Sequence, residues 1–197
     1  MEIKTYVAGP FMTNTYLIIN DKKGIIVDPT IGLEKYIDDI KKINITAILL
    51  THCHIDHIAS AHLFDAPIYM SKIDAINIKD NRINLSNTFG IPFIFPSNNI
   101  IVLDDEVLSL NNLKIECILT PGHTSGGMCF LINDSLFSGD TLFQVGIGRT
   151  DFPTGNMNDL KKSLLKLKCL PKNTKIYPGH GELSTLEFEL KYNPYLK

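Results

Sequence analysis

The sequence lacks any run of apolar residues near the roughly 18 that a membrane-spanning helix needs. Its opening, MEIKTYVAGPF, is interrupted by Glu2 and Lys4, and no apolar core of a secretory signal follows. Cysteine is scarce: Cys53, Cys117, Cys129 and Cys169 are widely spaced and form no CxxC pair. That spacing speaks against a disulfide framework or a thiolate-rich zinc module, and reads as reduced, largely core thiols of a cytoplasmic protein. There is no basic excess either. Lys plus Arg is 19 against 21 for Asp plus Glu, a net charge of −2, which argues against nucleic acid as partner. Arginine is limited to Arg82 and Arg149, so each is easy to interpret. No GxSxG elbow offers a serine nucleophile, and no cysteine sits in a catalytic signature. No linker or low-complexity stretch divides the chain, and one domain over residues 1–197 is expected.

What is present is ordinary for a globular protein: 44% hydrophobic and 20% charged residues. A chain of 197 residues buries roughly 70% of its unfolded surface without help from metal. Metal ligands, if found, then serve chemistry rather than folding. Ile3 to Val7, Thr15 to Ile19 and Gly24 to Val27 read as strands ended by turn pairs, an antiparallel start. Leu33, Tyr36, Ile37, Ile40 and Ile43 fall at helical spacing. Ile45 to Leu50 reads as a strand buried on both faces. Residues 77 to 99, with Gly90, Pro92 and Pro96, read as a surface excursion. Strands follow at 100–103, 107–110, 113–119, 128–132 and 135–137. A helix starts at Asn156 with a stripe of Met157, Leu160, Leu164 and Leu167, stopped before Pro171. A strand at 175–177 and a closing helix over 183–192 complete the pattern. Strands with a helix, repeated once, suggest two packed sheets with helices outside.

The histidines carry the chemistry. Three of six fall in Thr51-His-Cys-His-Ile-Asp-His57, directly after the buried strand. Alternation in an extended stretch points His52, His54 and Asp56 one way and Cys53 the other. His57 follows at the start of a helix expected to run to Phe64. Imidazole with carboxylate suits Zn, Fe or Mn. His123 in TPGHTSG, His180 in YPGHG and Asp140 in FSGDTLF also lie just past strands, the first two after a Pro-Gly turn. His62 lies outside every such string and reads as a solvent-facing or packing residue.

The ordered strings THCHIDH, TPGHTSG, FSGDTLF, GIGRTDF and YPGHG resemble the metallo-β-lactamase superfamily, and within it the glyoxalase II-like (hydroxyacylglutathione hydrolase) branch. The resemblance implies a mixed α/β fold, a four-layer αββα sandwich with metals at one edge of the sheets. It implies that His52, His54 and His123 hold one metal, that Asp56, His57 and His180 hold a second, and that Asp140 bridges both. Two metals about 3.5 Å apart would use all seven ligands and leave room for a bridging hydroxide. Zinc is the first expectation, with iron or manganese as substitutes.

The activity so implied is metal-dependent hydrolysis of a thioester, with a bridging hydroxide attacking the carbonyl and Asp56 orienting the water or passing its proton. A thiolate leaves without much protonation, so a site with metals and no evident general acid suits thioesters better than amides. Glutathione is the thiol the branch suggests. The helical extension that helps hold it there is not matched, since 17 residues follow His180. Arg149 matches the branch's basic residue after Gly-x-Gly. It reads either as a receptor for an anionic substrate or as an ion-pair partner of Asp151. Asp28, before Pro29 at a strand end, reads either as acceptor for the outer N–H of a ligand histidine or as a turn residue. The rival activity is that of the persulfide dioxygenases, which share GRTDF and hold one iron on the equivalents of His52, His123 and Asp140.

Overall fold

The computed structural model describes residues 1–91, 93–95 and 99–197. Strands β1 (Glu2–Ala8), β2 (Thr13–Asn20) and β3 (Lys23–Val27) form an antiparallel meander. Its tight turn holds Asp21 and Lys22 at φ 49° and 63°, the backbone hand that matches strand twist. Strands β4 (Asn44–Leu49), β5 (Ile68–Ser71) and β6 (Ile100–Leu103) then add in parallel, giving the order β1-β2-β3-β4-β5-β6. The second sheet starts with an antiparallel run of β7 (Glu106–Leu110), β8 (Leu113–Leu119), β9 (Met128–Ile132) and β10 (Ser135–Gly139). A ribbon of β11 (Leu142–Phe143) and β12 (Gly146–Ile147) follows. β13 (Lys175–Pro178) pairs parallel with β10, and β14 (Ser184–Thr185) closes that edge.

Side-chain alternation builds the layers. Tyr16, Ile18, Ile25, Ala47 and Leu49 meet Ile115, Cys117, Phe130 and Phe137 between the sheets. Leu17, Ile26, Ile48 and Leu50 point the other way. They pack under α1 (Ile37–Ile40), α2 (Ile55–Ile58) and neighbouring loops, through Ile40, Ile55 and Ile58. On the far face, Cys129, Leu131, Leu136 and Ile176 pack against α4 (Met157–Lys168) and α5 (Leu186–Tyr192), through Leu160, Leu164, Leu167 and Leu186. The result is an αββα sandwich. Among the described residues no helix is long and apolar enough to cross a membrane.

Several sequence expectations need correction. The helical spacing from Leu33 yields only a 3-10 turn, Leu33–Tyr36, and the four residues of α1. The helix expected to run from His57 to Phe64 is α2 plus a 3-10 turn over Ala61–Leu63. In both segments tertiary docking overrides periodicity, because each must turn sharply to seat an apolar anchor on the sheet. β5 and the following α3 (Lys72–Asn77) were not anticipated. Met157 is exposed rather than part of the α4 stripe. The stretch read as a surface excursion buries Ile78, Asn84 and Leu85. Pro92 and Pro96 lie outside the described residues.

Candidate metal centre

Five strand ends converge on one edge of the sandwich. Asp28 follows β3, Thr51 to His57 follow β4, His123 follows β8, Asp140 follows β10 and His180 follows β13. The chain leaves each strand as a short loop, so side chains from both sheets face one space. His52, His54 and His123 form one group of potential ligand atoms, all within 4.8 Å of one another. Asp56, His57 and His180 form another. Asp140 lies between them: Oδ1 is 3.4 Å from His57 Nε2, and Oδ2 is 3.4 Å from His123 Nε2 and 3.5 Å from His180 Nε2.

The hydrogen bonds around the rings show which nitrogens face inward. A carbonyl or carboxylate oxygen can only accept, so the ring nitrogen it touches must donate. His123 Nδ1 donates to the Arg149 carbonyl at 2.7 Å, and His180 Nδ1 to the Phe11 carbonyl at 3.0 Å. His57 Nδ1 donates to Asp28 Oδ2 at 2.8 Å. The Thr51 hydroxyl donates to the same Asp28 oxygen at 2.6 Å and so accepts from His52 Nδ1 at 3.0 Å. Four rings therefore turn their Nε2 into the site, where each offers a lone pair once that nitrogen carries no proton. His54 Nδ1 meets two of them, 3.1 Å from His52 Nε2 and 2.9 Å from His123 Nε2. The buried His57 Nε2 and Asp140 Oδ1 have no hydrogen-bond partner. Imidazole nitrogens and carboxylate oxygens gathered around one buried space fit divalent cations of the imidazole-and-carboxylate class.

Electrostatics point the same way. Asp56 and Asp140 stay ionised: burial raises their pKa, but His57 and His180 beside them hold both well below the usual carboxylate range. Burial lowers His57, but Asp56, Asp140 and Asp28 together push it well above its ordinary value. His180 is likewise pulled down by burial and pushed up to about 9 by its hydrogen bonds to Asp140 and Asp56. Burial and the neighbouring His123 drop His54 to about 3. The second group thus holds protons where cations would otherwise sit, whereas His52 and His54 stay neutral.

Close approach of backbone makes this packing possible. A Cβ on Gly179 would collide with Asp140 Oδ1 and His57 Cε1, and one on Gly148 with the Asp140 carbonyl. The N-terminal hairpin fastens the last ligand loop. Asn14 Nδ2 donates to the carbonyls of Pro178 and Gly181, both at 3.0 Å, and the Thr13 hydroxyl donates to Asp56 Oδ2 at 3.0 Å.

All eight donor-site expectations, including Asp28, fall in this cluster. Cys53 points away into the core under the helices, and His62 is exposed. Arg149 borders the cavity, with its fork already on Asp151 at 2.6 Å through both Nε and Nη2. Sequence reasoning missed Asp74 in α3. It is fully buried, and its Oδ2 accepts the Cys53 backbone N–H at 3.1 Å and the Thr124 hydroxyl at 2.7 Å. One carboxylate thus joins the His52–His54 loop to the His123 loop. Its only sequence signal was an Asp two residues into a short helix, which is common.

A sequence profile of the metallo-beta-lactamase superfamily matches residues 8–180. The probable metallo-hydrolase YqgX of Bacillus subtilis is 34% identical over 198 residues, 95% of this chain and 94% of that protein. The crystal structure of the BLEG-1 B3 metallo-beta-lactamase superposes with a TM-score of 0.91 at 33% identity, covering 99% of both chains. TTHA1623 in a di-iron-bound form superposes at 0.87 with 29% identity, over 98% of this chain and all of that one. The matched span, the shared sandwich and the converging histidine loops together show that the chain belongs to the metallo-beta-lactamase superfamily.

Proposed function

We propose that this metal-dependent hydrolase cleaves thioesters, in the manner of hydroxyacylglutathione hydrolases, with two metal ions. The observation that carries the reading is the position of Asp140, whose carboxylate lies within 3.5 Å of ring nitrogens from both histidine groups. His52, His54 and His123 would hold one ion, Asp56, His57 and His180 the other, with Asp140 shared. Two divalent cations, zinc first and iron or manganese as substitutes, would lower the pKa of a water between them and polarise the thioester carbonyl. The chain's own residues do the rest. Asp56, held by the Thr13 hydroxyl, would orient the attacking water or take its proton. Asp28 fixes the tautomer of His57 directly, and that of His52 through Thr51. The acyl carbon gains the water oxygen, the C–S bond breaks, and sulfur leaves with the electron pair as a thiolate.

A second reading is an oxygenase with one iron on His52, His123 and Asp140. Two histidines and a carboxylate of that kind form the iron-binding triad of non-haem oxygenases. The deciding experiment measures metal per chain together with turnover. Two metals per chain and thiol release from acyl thioesters support the hydrolase. One iron per chain with O₂ uptake on a persulfide, and no thiol release, supports the oxygenase. Cleavage of a β-lactam faster than any thioester overturns both.

A further inference from the structure

The cavity in front of the cluster is about 490 Å³, within the roughly 300–1,000 Å³ of small-molecule sites. Its floor is the cluster itself, and its walls are apolar. Phe11 and Phe89 pack with ring centroids 4.6 Å apart, and Phe89 meets Phe152 edge-on at 6.5 Å. Phe152 in turn stands 5.8 Å from His54, so the aromatic wall runs up to the donor atoms. Leu85, Phe143 and Ile147 complete it. Phe11 and Phe89 come from the β1–β2 hairpin and the segment after α3, far apart in sequence. An aromatic wall assembled from separate segments and left facing an open cavity is built to be covered by something apolar.

Charge around the same cavity argues against an anionic ligand group. Among the described residues lining it, Arg149 is the one permanent cation. Its guanidinium lies 4.0 Å over the Phe152 ring, and its Nε and Nη2 both donate to Asp151. A carboxylate approaching that corner meets a pair of no net charge, whose Nε–Nη2 edge Asp151 already occupies. Glutathione presents two carboxylates, and apart from the candidate metal ligands the described lining residues of the cavity hold no cation that is not already paired. What Arg149 presents is a flat edge that extends the aromatic wall.

We infer that this site takes thioesters with an apolar acyl group, seated against Phe11, Phe89 and Phe152, and released from an uncharged thiol. The inference rests on the thioesterase reading, so its test needs a readout that does not depend on turnover. The metal-loaded protein is assayed with acyl N-acetylcysteamine thioesters from acetyl to hexanoyl, and with the matched acylglutathiones. In parallel, calorimetry measures binding of the S-alkyl thioethers of N-acetylcysteamine, which cannot be hydrolysed. Expected are a kcat/KM and a thioether affinity that both climb with chain length, by up to about fourfold for each methylene buried. The neutral thioester should beat its glutathione partner. Phe89→Ala and Phe152→Ala should flatten both series while the metal content holds. Flat series in both assays, or a preference for the glutathione partner at every chain length, overturns the inference. Thioether affinity that climbs while no thioester is cleaved overturns the hydrolase reading and leaves apolar recognition standing.

Discussion

Asp28 accepts the Nδ1–H of His57 at 2.8 Å, with both side chains buried. The same carboxylate also takes the Thr51 backbone N–H at 2.8 Å on its other oxygen. One residue at the end of β3 thereby sets a ligand ring of the loop after β4. Asp28→Asn keeps the shape but offers a weaker acceptor and a misplaced donor. Metal affinity, measured by chelator competition, should fall by roughly 10- to 100-fold. An unchanged affinity would reduce Asp28 to a turn residue.

Metal uptake should release protons. His180, pushed up to about 9, and His57, pushed higher than its ordinary value, are protonated at neutral pH in the metal-free protein. A ligand nitrogen must lose its proton. Zinc added at about pH 7 should therefore acidify a weakly buffered solution, and affinity should rise with pH towards about 9. The sign reverses for the metal-free fold. A raised folded pKa stabilises fully below the unfolded value of about 6.5, and that stability is lost as pH climbs through the folded value. The urea midpoint of metal-free protein should accordingly fall across that window, and a rising midpoint would contradict the assignment.

Asp74→Ala leaves the Cys53 N–H and the Thr124 hydroxyl without their shared acceptor. Buried donors so stranded cost about 1–3 kcal/mol each, so roughly 2–5 kcal/mol of stability should be lost. Urea unfolding reads this directly. Because the two loops carry His52, His54 and His123, metal affinity should weaken as well. A fall in stability with affinity intact would confine Asp74 to folding.

Asp151→Asn frees the Arg149 fork. A planar guanidinium pairs with a carboxylate on two arms. The variant should gain several-fold in kcat/KM on an acylglutathione and change little on the neutral thioester. Arg149→Lys in the wild-type background should cost little on either. A several-fold rise in KM restricted to the anionic substrate would instead mark Arg149 as its receptor.

Gly179→Ala places a methyl group against Asp140 and His57. Metal content after purification should drop, with the fold retained by circular dichroism. Full loading would show that the ligand loop yields more easily than its contacts suggest.

Most of the longer strands, though not β5, and the ligand types were legible in the sequence. Buried strands announce themselves by β-branched runs, and an imidazole-carboxylate string after such a strand has few other uses. The segments from Leu33 and from His57 misled because helical spacing persists where the chain makes only single turns. Their shape is set by what they dock against.

By itself, the sequence determined which residues could ligate, that they follow strand ends, and that the layers would be two sheets with helices outside. Those properties are local, written in residue type and in periods of two and 3.6. Only the tertiary structure decided that Asp140 faces both histidine groups, that Asp28 and Asp74 tie separate loops together, and that Arg149 is already engaged by Asp151. It also decided that Phe11, Phe89 and Phe152 share one wall. Each of these is a meeting of segments distant in the chain, or a choice of rotamer among several partners. Residue order does not encode such meetings until the sheets have packed.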